Sequence, residues 1–116
     1  MGMFSWMRRG GPDRPGRSER KAVSHDLAEW AAARRGVEVY VEPKTAVTET
    51  SVVLVAHDGE FTRRRIASPQ AARTFAHDQA LPIYDATVVG YPQRMRDYSR
   101  RQTILQERSK RTALGD

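Results

Sequence analysis

The chain has no cysteine in 116 residues. That absence excludes a disulfide framework, an iron–sulfur cluster, a thiol nucleophile and cysteine-ligated zinc, and it is compatible with a reducing cytosol. Long apolar runs are missing too. The longest, Val52-Val53-Leu54-Val55-Ala56, is the size of a strand, against the ~20 residues of a membrane-spanning helix. Lysine is scarce, with only Lys21, Lys44 and Lys110 among 20 basic residues. No Gly-x-Ser-x-Gly elbow, phosphate-binding loop, His-Glu-x-x-His helix or dinucleotide glycine fingerprint is present. Hydrophobic residues make up 39% of the chain, enough for a single modest core but below the usual share for a globular domain.

What is abundant is arginine, and its distribution divides the chain. The formal net charge is +6. Residues 1–23 and 91–116 are both strongly basic, whereas residues 24–90 carry more acidic than basic side chains. A planar guanidinium suits phosphate and stacks on aromatic rings; the competing reading is that a GC-rich genome encodes arginine freely, since charge alone speaks to association and not to chemistry. At the N-terminus the apolar residues Met3, Phe4, Trp6 and Met7 precede Arg8-Arg9, the reverse of a secretory signal. The expected location is the cytoplasm, with no membrane contact.

Residues 8–20 combine Gly10, Gly11, Pro12, Pro15 and Gly16 with five arginines and no large apolar side chain. Such a segment cannot offset its ordering entropy. The predicted organisation is therefore a disordered basic segment over 1–23, a folded domain over 24–105 and a fraying basic tail over 106–116. Ser24 reads as the N-cap of a first helix over about 25–35, with Leu27, Trp30 and Ala31 on its apolar stripe. Val37–Glu42 alternates as a strand with one solvated face carrying Glu38, Tyr40 and Glu42. Thr50–Ala56 reads as a buried strand, Asp58-Gly59 as a tight turn with positive φ at both central positions, and Phe61–Ile66 as a third strand. Ser68-Pro69 starts a helix whose stripe is Ala72, Phe75 and Ala76. Ile83–Val89 is a fourth strand, and a last helix begins near Gln93 with Met95, Tyr98 and Leu105 on one stripe. The fold class is α+β, one small domain of order α-β-β-β-α-β-α, its three- to four-stranded sheet mainly antiparallel with helices packed on one face.

Three His-Asp pairs, at 25–26, 57–58 and 77–78, have the chemistry of a metal site but not its spacing, since adjacent residues point apart on helices and strands. No metal, cofactor or catalytic residue is assigned, and the balance leans away from an enzyme. The best local signal is Gly90-Tyr91-Pro92-Gln93-Arg94-Met95-Arg96-Asp97-Tyr98-Ser99-Arg100-Arg101. Rings interleaved with arginines can stack on bases while guanidinium groups hold phosphates. The competing reading packs Tyr91, Met95 and Tyr98 on the sheet and leaves the arginines as a solvated face. The candidate contact residues are Arg63, Arg65, Arg94, Arg96, Arg100, Arg101, Tyr91 and Tyr98. They describe a non-enzymatic module binding nucleic acid, RNA before DNA. The alternatives are an adaptor docking on an acidic protein and a small redox-associated protein or enzyme.

Two resemblances accompany these residues. Ser24 to Gln79 resembles a double-stranded-RNA-binding domain in its α-β-β-β-α order. That family grips phosphates at the start of its second helix, where Ser68-Pro69-Gln70-Ala71-Ala72-Arg73 supplies Arg73, with Arg63, Arg64 and Arg65 upstream. Val41–Thr50 and Val88–Tyr98 resemble segments of an uncharacterised family of short, arginine-rich actinobacterial proteins, some loosely labelled oxidoreductases. The first likeness implies RNA contact; the second implies no particular mechanism.

Overall fold

The computed structural model describes residues 16–115. Of the disorder expected over 1–23, residues 1–15 lie outside the described residues, and residues 17–23 are helical instead. Helix α1 runs Arg17–Ala32 and so starts before Ser24, which lies inside it. Two features of the sequence explain this correction. Gly16 is the last glycine or proline of the N-terminal segment, and it caps the helix in an extended conformation. Val23 stands one turn before Leu27 and joins the same core, so the apolar stripe begins earlier than Leu27 suggests. Glu19 sits in the first turn, where the helix dipole favours an anion.

Strands β1 (Glu38–Glu42), β2 (Ser51–Val55) and β3 (Phe61–Arg65) form an antiparallel meander. Helix α2 (Pro69–Asp78) follows, with Ser68 Oγ accepting the Ala71 amide at 3.1 Å. Strand β4 (Ile83–Asp85) returns parallel to β1, giving a mixed sheet of order β3-β2-β1-β4. It is shorter than Ile83–Val89, because the chain turns into a four-residue helix α3 (Ala86–Val89). Asp85 caps that helix, accepting the Thr87 amide at 2.8 Å and its hydroxyl at 2.5 Å. The cap outweighs the strand preference of Val88 and Val89. The hydrogen bonds from Thr87 hold the Asp85 carboxyl below its ordinary range.

The 57–59 turn also differs from expectation. Among its residues only Gly59 has a positive φ, +94°. Gly59 N–H donates to the Ala56 carbonyl, and Ala56 N–H donates to Glu60. His57-Asp58-Gly59 is thus a three-residue hairpin loop closed by a left-handed glycine, rather than a two-residue one.

One sheet face, with Val39, Val41, Val52 and Leu54, packs on Leu27 of α1 and on Ala72, Phe75 and Ala76 of α2. The other face is not bare. Tyr40, Val53 and Val55 are buried there beneath Phe61, Ala86, Tyr91 and Met95. The last two residues belong to the approach and first turn of helix α4 (Gln93–Ala113). Helices therefore contact both faces, and the Glu38–Tyr40–Glu42 face that alternation assigned to solvent is largely covered. Burying side chains such as Val53 and Val55 stabilises by roughly 1.5–3 kcal/mol each, which fixes the start of α4 against the sheet.

Candidate nucleic-acid interface

The route into α4 is set by Gly90, Tyr91 and Pro92. Gly90 has φ +70°, a conformation glycine tolerates without steric cost, and Pro92 caps the helix in an extended conformation. Polar contacts then fasten this segment to β1. The Tyr91 hydroxyl donates to Glu42. Arg94 donates to Glu38 and, through Nε, to the Ala56 carbonyl at 3.0 Å. Glu42 also accepts two hydrogen bonds from Arg63, at 2.9 and 3.0 Å, and one from Ser51 at 2.5 Å. Burial by itself would raise the Glu42 carboxyl, but the bonds from Arg63, Ser51 and Tyr91 outweigh it and hold the group below its ordinary range. Burial, followed by the bond to Glu42, pushes the Tyr91 hydroxyl up.

These contacts sort the expected contact residues into two sets. Tyr91, Tyr98, Arg63 and Arg94 are engaged by the domain. Tyr91 and Tyr98 are half-buried, and the Tyr91 ring lies 5.9 Å from that of Tyr40. Arg94 is correspondingly not an open flank of α4: its side chain is 31% exposed and tied to Glu38. Arg63 keeps about half its surface while chelating Glu42. Arg34 and Arg64 behave alike, pairing with Glu60 at 2.7 Å and Asp26 at 3.0 Å. The folded domain thus neutralises many of its own guanidinium groups.

The second set pairs with no carboxylate among the described residues. Arg65 is exposed on edge strand β3 and has no polar partner among the described residues. Arg96 is exposed and, among the described residues, reaches only Gln93 on its own helix. Arg101 donates to the Asp58 carbonyl at 3.0 Å and stands 5.9 Å over the Tyr98 ring, yet remains exposed. Arg100 is exposed without a polar partner among the described residues.

The helix reaches Ala113, so the basic residues expected in a fraying tail over 106–116 stand on its last turns. Three cations therefore join the second set: Arg108, Lys110 and Arg111, all exposed and unpartnered among the described residues. The signal for them is the lack of any glycine or proline between Gln93 and Leu114. Every residue from Ser99 to Ala113 is exposed, including Ile104 and Leu105. This half of α4 leaves the domain as a lone helix.

Among the described residues, no group of three or more His, Asp or Glu side chains is placed to hold a metal ion, and no helix is long and apolar enough to cross a membrane. No family model, curated protein or solved structure matches the chain.

Proposed function

We propose that this chain is a non-enzymatic nucleic-acid-binding module whose contact element is the exposed half of α4. One observation carries the reading. From Ser99 to Ala113 the helix bears Arg100, Arg101, Arg108, Lys110 and Arg111 against the single carboxylate of Glu107, with every residue exposed. Elsewhere Glu38, Glu42, Glu60 and Asp26 pair with arginines. Here only Arg101 meets the domain, through a backbone carbonyl. Phosphate backbones reward such a row of cations by releasing condensed counterions.

The test is binding of the full chain to labelled nucleic acid, followed by fluorescence anisotropy across a salt series. Affinity should fall log-linearly with salt. Replacing Arg100, Arg101, Arg108 and Arg111 with glutamine should flatten that slope by up to about four units while the melting temperature stays put. A salt-independent interaction, or none, rejects the reading. A second reading, docking on an acidic protein, is favoured by the exposure of Ile104 and Leu105, 42% and 54%. It requires binding to an acidic protein that salt weakens without abolishing and that fails on their replacement with serine.

A further inference from the structure

We infer that the form of nucleic acid this helix fits is B-form duplex DNA, entered through the major groove; the inference rests on the nucleic-acid reading above. The first argument is the azimuth of the charges. Ile104 lies nine residues beyond Met95, two and a half turns on, so it points to the opposite side of the helix. Met95 packs on the sheet. Arg100, Ile104, Arg108 and Arg111 follow one another at spacings of four, four and three, and so share a face. The arginine row is thus turned away from the domain, where a duplex can approach without colliding with the sheet.

The second argument is fit. The exposed half from Ser99 to Ala113 is roughly 22 Å long at 1.5 Å per residue and ~10–12 Å across with side chains. The major groove of B-DNA is about 12 Å wide and admits a helix. The A-form groove of duplex RNA is deep and narrow and does not. Because the helix is exposed on all sides, phosphates of both strands can flank it. Arg100 and Arg111 lie on one side of Ile104 and Arg108 on the other, whereas Arg101 is turned toward the hairpin, where it meets the Asp58 carbonyl.

The third argument is what this segment lacks. Single strands are held by aromatic platforms on which bases stack. Ser99–Ala113 contains no Phe, Tyr or Trp, and the nearby Tyr91 and Tyr98 are half-buried against the domain. An anionic membrane surface would need an apolar face opposite the arginines. That side carries Gln102, Gln106 and Ser109 beside Leu105.

The experiment compares the full chain on three fluorescein-labelled probes of one sequence at one salt concentration: duplex DNA of about two helical turns, duplex RNA, and the single DNA strand. Duplex DNA should bind tighter than either other probe by on the order of tenfold. It should also show protection of guanine N7, a major-groove atom, from dimethyl sulfate. Arg100→Gln combined with Arg111→Gln should lose that protection with the circular dichroism spectrum unchanged. Equal or tighter binding to RNA or to the single strand overturns groove entry while leaving a nucleic-acid-binding protein. So does DNA binding without N7 protection. Failure to bind any of the three removes both readings.

Discussion

Gly59 lies directly against the backbone of Arg94. A Cβ on Gly59 would stand 1.9 Å from the Arg94 carbonyl oxygen and 2.9 Å from Tyr98 Cβ. The tip of the β2–β3 hairpin and the first turns of α4 therefore meet with no room for a side chain, and Arg94 closes the contact by donating to the Ala56 carbonyl. Gly59 is needed twice, for its φ of +94° and for this approach.

Gly59→Ala should accordingly cost more than the ~1–2 kcal/mol of left-handed backbone alone, because α4 must shift to admit the methyl group. The expected result is a clear drop in melting temperature together with faster amide exchange over Gln93–Tyr98. Exchange that is unchanged in that stretch would separate the hairpin from the seating of α4.

Arg94 and the distal arginines should behave oppositely. Arg94→Ala leaves the half-buried Glu38 without its cation and the Ala56 carbonyl with the Gly59 amide alone. A charged hydrogen bond of this kind is worth about 1.5–3 kcal/mol, and partial exposure puts the expected loss near the lower end. Replacing Arg100, Arg108 and Arg111 with glutamine should change stability by less than about 0.5 kcal/mol. Chemical denaturation of the two variants checks the contrast. A neutral Arg94→Ala would return Arg94 to the solvated face.

Much of this arrangement is legible in the residues, and the gaps have physical causes. Ser68-Pro69 and the Ala72–Phe75–Ala76 stripe place α2 because cap and apolar face are both local. The alternation of Glu38–Glu42 identifies a strand correctly but misassigns its second face. What covers Tyr40 is Tyr91, some fifty residues away, and no local period reports that. At Asp85 a side-chain cap overrides a β-branched run. In α4 the distinction between Arg94 and Arg100 depends on where the Gly59 loop and Glu38 sit, so arginines interspersed along one stretch of sequence become two different sets in space.

The carboxyl group of Glu42 makes stability depend on acid. Its folded value lies below the ordinary 4.5, so its contribution is complete above that value, where it is ionised in folded and unfolded chains alike. As pH falls below it, the unfolded chain takes up the proton first, and the contribution disappears as pH passes through the lowered folded value. Glu42→Gln should therefore be less stable than the parent at neutral pH by about 1–2 kcal/mol, with the gap closing toward the acid end of the carboxylate range. Parallel melting curves against pH, with a gap that never narrows, would assign the loss to packing rather than to charge.

Protection from hydrogen exchange should fall along α4. Gln93–Tyr98 is held by Met95 on the sheet, by the Arg94–Glu38 pair and by the Gly59 contact. From Ser99 to Gly115 no residue is buried, and a helical segment of about fifteen residues without tertiary packing is marginal in water. Its amides should exchange near the rates of a fraying terminus, while those of β1 and β2 open only with the whole domain. Binding the polyanion proposed above places charge along Arg100, Arg101, Arg108 and Arg111 and removes their mutual repulsion, so the distal amides should slow on addition of duplex DNA while those of β1 and β2 change little. Exchange mass spectrometry with and without duplex reads both effects. Slowing confined to the sheet would move the contact surface off the helix and onto the domain, and strong protection of the distal half in the free protein would show that something in the chain covers it.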